Sequence, residues 1–128
     1  MIEKENFERL YDNFFSFTFE LKKIKYRSGI FFDEACSDQY FADVFNSIKE
    51  MLLWLKQNVD NIKSAVKEKL PVNCDIDIFK DLYIISFSLF FEKKCDCPIV
   101  NLAYGNEEGE TYLIVAVKNK QIFSVVLN

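Results

Sequence analysis

From Phe41 onward, apolar side chains at Val44, Phe45, Ile48, Met51, Leu52, Leu55, Val59, Ile62 and Val66 recur every three or four residues. That spacing lines one face of a helix. Ser37 or Asp38 can cap its first turn, and Pro71 blocks propagation beyond Leu70. Asn58, Asp60 and Asn61 favour turns and caps over helix interiors, so a kink or a division into two helices is expected there.

Ahead of this element the pattern supports two readings. Phe7, Leu10, Phe14, Phe17, Leu21 and Ile24 step by three and four, which predicts a helix from Glu3 to Tyr26 ended by Ser28-Gly29. Phe15 to Leu21 also alternates with period two and is rich in aromatics, the mark of a strand. A break, if the helix has one, is expected near Phe15.

Beyond Pro71 the period becomes two. Cys74, Ile76 and Ile78 alternate with Asn73, Asp75 and Asp77, and Leu82–Phe91, Ile99–Tyr104, Thr111–Val117 and Gln121–Leu127 read as four strands. Turn residues at 105–110 and 118–120 separate the last three at hairpin distances. The predicted fold class is α+β, with N-terminal helices packed on a C-terminal antiparallel β-meander, in a single domain over residues 1–128.

Composition agrees with a packed core. Half of the 128 residues are hydrophobic and fourteen are phenylalanine, enough apolar mass to fold without a disulfide or a metal. The N-terminal MIEKENFERLYDN lacks the apolar core of a secretory signal, and the longest apolar run is about half of the ~20 residues a membrane helix needs. A cytoplasmic location is expected, with the four cysteines as reduced thiols. The net charge of −4 disfavours direct nucleic-acid binding and favours a cationic partner.

Candidate chemistry is sparse. The chain has no histidine, the usual general base near neutral pH and the commonest neutral metal ligand. Cys95-Asp96-Cys97 is spaced too closely for a zinc knuckle or a redox pair, even with Cys36 and Cys74 in reserve. Asp75, Asp77 and Asp81 offer oxygen ligands for magnesium, but no phosphate-binding loop accompanies them, so they read as the solvated side of a strand. No catalytic residue, metal site or cofactor is expected. Lys22, Lys23, Lys25 and Arg27 suit the C-terminal end of a helix, and Trp54 is either core or an interface anchor.

Acidic groups carry the remaining signal. Asp33, Glu34, Asp38 and Asp43 occupy a stretch without a basic residue, and Glu107, Glu108 and Glu110 follow Asn106 in a predicted hairpin turn. In these two acidic segments and in its lack of histidine, the chain resembles bacterial toxin-immunity proteins, the partners of contact-dependent growth-inhibition and other polymorphic toxins. The resemblance implies a non-catalytic cytosolic inhibitor that binds a cognate protein toxin with a basic nuclease domain, without contacting nucleic acid or membrane. Asp33, Glu34, Asp38, Glu107, Glu108 and Glu110 would then form the partner-binding surface. The alternative is an acidic secretion chaperone that wraps an extended effector segment in an apolar groove.

Overall fold

The period-two alternation at the N-terminus prevails over the helical spacing. A computed structural model describes residues 2–93 and 97–128. After a 3-10 turn at Lys4–Asn6, the chain forms three strands: β1 (Glu8–Tyr11), β2 (Phe14–Leu21) and β3 (Ile24–Phe32). The helix expected over Glu3 to Tyr26 is therefore replaced by a strand meander. Its tight turn is made by Lys22 and Lys23, whose φ values of 50° and 68° give the left-handed pair of a type I′ hairpin. Such turns normally announce themselves with asparagine and glycine, and two lysines do not. Nor is Ser28-Gly29 a helix stop. Gly29 lies within β3 under the Phe14 ring, where an added Cβ would approach Phe14 Cζ to 2.6 Å.

The long helix, α1 (Asp38–Glu68), begins where its cap predicted. Ser37 Oγ accepts a hydrogen bond from the Tyr40 amide at 3.0 Å. The expected kink falls at Asn58 (φ −121°, ψ 16°), whose side-chain amide donates to the Trp54 carbonyl at 2.9 Å. The alternation at 73–78, by contrast, is not a strand but the approach to a short helix, α2 (Ile76–Lys80). Asp75 Oδ1 accepts from the Asp77 amide at 2.8 Å, so one side-chain cap settles a segment too short for periodicity to decide. The four strands expected downstream then follow as β4 (Tyr83–Glu92), β5 (Cys97–Gly105), β6 (Thr111–Lys118) and β7 (Gln121–Leu127).

Among the described residues, seven strands form one sheet in chain order, antiparallel except where β3 and β4 run parallel over Gly29–Phe32 and Ser88–Phe91. That join requires a crossover, and α1 is part of it. The fold is α+β, but a single long helix sits mid-chain between two meanders, in place of N-terminal helices on a C-terminal meander. The physical reason is that β1–β3 supply strands where helices were expected.

α1 lies across one face of the sheet. Ile48, Leu52, Leu55 and Val66 are fully buried with Ile30, Leu89, Val100, Leu102, Leu113, Val115 and Val117 from the strands beneath. Toward its N-terminus an aromatic cluster takes over. Phe41 stacks on Phe15 at 4.2 Å between ring centroids and also meets Phe7 at 5.7 Å and Phe45 at 5.9 Å. Among the described residues, no helix is long and apolar enough to cross a membrane.

Candidate partner-binding surface

With α1 on one side, the other side of the sheet is uncovered, and strand register determines what it presents. Tyr11, Phe14 and Phe31 pair across β1, β2 and β3, with Phe14 and Phe31 ring centroids 4.3 Å apart. One row deeper, Ser16, Gly29, Ser88, Asn101, Ala116 and Ser124 are successive partners across six strands, a shallow band of small residues. Ala103, Ile114 and Val126 form the next row on β5–β7. The uncovered side thus has an aromatic corner and an aliphatic corner, with Tyr11, Phe31, Tyr112, Ile114, Phe123 and Val126 all exposed. These exposed apolar side chains make the uncovered side the candidate interaction surface.

The acidic turn lies at one end of the sheet, between β5 and β6. Asn106 builds it: Asn106 Oδ1 accepts from the Glu108 amide at 3.0 Å and the Glu110 amide at 3.2 Å, and its carbonyl accepts from the Gly109 amide at 3.0 Å. Gly109 takes φ +83°, which a side chain would strain. Tyr112 donates its hydroxyl to Glu110 Oε2 at 3.3 Å. Glu107, Glu108 and Glu110 thus stand on a braced turn, and none joins an ion pair among the described residues. Beside them is a notch of 310 Å³ between β3, β4 and the turn, lined by Lys25, Arg27 and Glu107 among others.

Asp33, Glu34 and Asp38 come together at the opposite end, around the start of α1. Here the charge is largely answered from within. Asp38 pairs with Arg9 at 2.7 Å, Glu34 with Lys93 at 3.0 Å, and Asp33 Oδ1 accepts from the Lys93 amide at 3.3 Å. The nine residues of β5 separate this cluster from the acidic turn, a span of roughly 30 Å. Among the described residues Glu34 and Asp38 each have a cation partner, whereas Glu107, Glu108 and Glu110 have none.

Other candidates resolve into structural roles. Asp75 caps α2, Asp77 occupies its first turn and Asp81 its C-cap. Lys22 pairs with Asp60, and Lys25 faces Glu20 across the hairpin. Trp54 is half-buried and lines a groove with Ile62, Ala65 and Ile122. Cys36 is buried, and burial pushes its thiol above the ordinary range. Cys95 and Asp96 lie outside the described residues, as does the side chain of Cys97. Among the described residues no group of three or more cysteines and carboxylates gathers to hold a metal.

The Tyr104 hydroxyl is buried with no hydrogen-bond partner among the described residues, whereas Tyr26 nearby donates to the Ile84 carbonyl at 2.6 Å. Burial raises the Tyr104 pKa above its ordinary 10.0, with a smaller contribution from Tyr26. Below pH 10 the phenol is neutral folded and unfolded, so its linkage contribution is complete. Above pH 10 the unfolded chain ionises first, and stability is lost as pH climbs toward the folded pKa. Tyr104→Phe is expected to stabilise the fold by about 1 kcal/mol at neutral pH and to flatten the alkaline loss. Urea unfolding on both sides of pH 10 checks this, and a destabilised variant at neutral pH would reveal a hydroxyl partner.

Comparison of the chain with protein-family models, with curated proteins and with solved structures finds no match.

Proposed function

We propose that the protein is an immunity-type inhibitor that binds a cognate secreted toxin in the cytoplasm and neutralises it stoichiometrically. It is assigned no catalysis of its own. The observation that carries this reading is the uncovered apolar sheet face ending in a braced acidic turn. Exposed aromatics at Tyr11, Phe31 and Phe123 suit anchors that slow dissociation, and unpaired acids at Glu107, Glu108 and Glu110 suit steering toward a basic surface. A nuclease domain, whose substrate groove is basic, is the partner of matching chemistry. Asp33, Glu34 and Asp38 contribute more weakly, since Arg9 offsets Asp38, Lys93 offsets Glu34 and the Lys93 amide already occupies Asp33.

The experiment is to identify the protein that co-purifies with this chain from its native host and to co-express the two, testing whether the chain suppresses the partner's toxicity. Reversing the charge of Glu107, Glu108 and Glu110 together is expected to slow association by about tenfold or more at low salt, with a smaller effect from Asp33, Glu34 and Asp38. Full protection by the variant carrying all six reversals would defeat the proposal.

A second reading, an acidic secretion chaperone, draws on a different feature. Between Phe17 and Leu21 the outer edge of β2 has no strand partner among the described residues, because β1 pairs only with Phe14–Ser16. Phe17, Phe19, Leu52 and Leu53 line a groove of 670 Å³ there, which suits an extended segment added as a strand. Binding of an unfolded effector peptide, with no affinity for a folded toxin, would favour this reading.

A further inference from the structure

The two edges of the sheet differ in how they are guarded. β1 is four residues long, Glu8-Arg9-Leu10-Tyr11, carries two charges and pairs irregularly. Short, charged or distorted edges resist pairing with other chains. β7 is seven residues long, Gln121–Leu127, contains no charge and no proline, and among the described residues is hydrogen-bonded on one side only, to β6. Its one irregularity is a bulge at Phe123, which leaves that ring 68% exposed on the open face with Lys118 Nζ 5.8 Å from its centroid. On the other face of the strand, Trp54, Ile62, Ala65 and Ile122 border a groove of 520 Å³ between α1 and β7.

The ends of this uncharged edge carry opposite charge. Lys118 and Lys120 flank the turn that precedes it. At its other end Leu127 pairs with Leu113, and the Asn128 amide donates to the Tyr112 carbonyl, so β7 finishes beside the acidic turn of Glu107, Glu108 and Glu110.

We infer that β7 pairs antiparallel with β7 of a second copy of this chain, about a two-fold axis near Ser124, so that one sheet runs through both protomers. Antiparallel pairing about that axis sets Lys120 level with Asn128 of the second copy. Tyr112 of that copy is then about two strand spacings away and the Glu110 backbone two residues before it, roughly 12 Å in all, within the combined reach of a lysine and a glutamate. The contact occurs twice by symmetry. A parallel arrangement would bring the lysine turns side by side instead. At the centre the uncharged strands meet without repulsion, and Ser124 faces its own copy.

The inference rests on the edge and not on the toxin reading, and its test uses the protein alone. Sedimentation equilibrium of the full chain is expected to give a dimer of twice 15.1 kDa, with micromolar self-association. Ser124→Lys and Ser124→Glu, each placing like charges together at the axis, are expected to weaken it by at least about tenfold while melting as folded proteins. An equimolar mixture of the two is expected to restore association. Lys120→Glu and Glu110→Lys should each weaken the dimer, and the double variant should recover it. A protein monomeric at roughly 100 µM, or a dimer indifferent to the Ser124 variants, overturns the inference. So does failure of the mixture to rescue. Either result leaves toxin inhibition by a monomer untouched.

Discussion

Phe41→Ala is expected to cost about 3–5 kcal/mol of folding stability, a large part of the roughly 5–15 kcal/mol available to a domain of this size. Phe41 is only 6% exposed and belongs to the first turns of α1, where its ring meets Phe7, Phe15, Phe32 and Phe45. Truncation leaves a cavity bordered by four other rings, whose stacking and edge contacts cannot all re-form around it. The same cluster ties the start of the helix to β2 and β3, so the loss is shared between packing and helix docking. Phe31→Ala is the control. Its ring lies on the uncovered face and is 45% exposed, so its removal is expected to cost about 1 kcal/mol or less. Chemical denaturation of both variants checks the ranking, and a smaller loss at Phe41 than at Phe31 would reverse the assignment of the two faces.

Gly105→Ala is the second large effect, expected at about 2–3 kcal/mol. A Cβ at Gly105 would collide with the backbone carbonyl oxygen of Glu110 and stand 2.7 Å from Ile85 Cδ1. Because the first obstacle is backbone, relief requires moving the base of the acidic turn and not merely turning a rotamer. The substitution therefore disturbs the placement of Glu107, Glu108 and Glu110 as well as the fold. Gly109→Ala separates the two kinds of glycine, since nothing lies within 4 Å of its Cβ position and only the φ of +83° opposes a side chain. That variant is expected to lose about 1 kcal/mol. Thermal melts are expected to place Gly105→Ala well below Gly109→Ala, and the opposite order would show that the turn base yields easily.

Sequence legibility followed the length and distinctness of each pattern. α1 could be read because helical spacing persisted from Phe41 to Val66, with Ser37 before it and Pro71 after it. β5, β6 and β7 could be separated because Asn106, Gly109 and Asn119 punctuate them. The N-terminal meander was harder, since a phenylalanine-dense stretch satisfies both periods and its hairpin turns on Lys22 and Lys23. Among the site residues, the acidic turn was visible from composition. What answers Asp33, Glu34 and Asp38 was not, because Arg9 and Lys93 reach them only through the pairing of β1 with β2 and β3 with β4. The uncovered face was equally hidden. In Tyr112-Leu113-Ile114-Val115-Ala116-Val117 both sides of the strand are apolar, so nothing in the run says which side α1 will cover.

The parallel join between β3 and β4 governs how the chain reaches this state. Each meander is built from neighbouring strands and can assemble from local hairpins, whereas the join must close the whole segment from Phe32 to Tyr83. Closing a long loop is entropically slow to be rewarded, so the two meanders are expected to form ahead of their union. Until α1 docks and the join zips, β4 is an open edge. Its run from Tyr83 to Phe91 contains no charge at all. A nascent chain thus carries, for the interval before closure, a sticky strand that the finished protein conceals at its centre, and slow closure would be paid for in aggregation and not in lost native contacts.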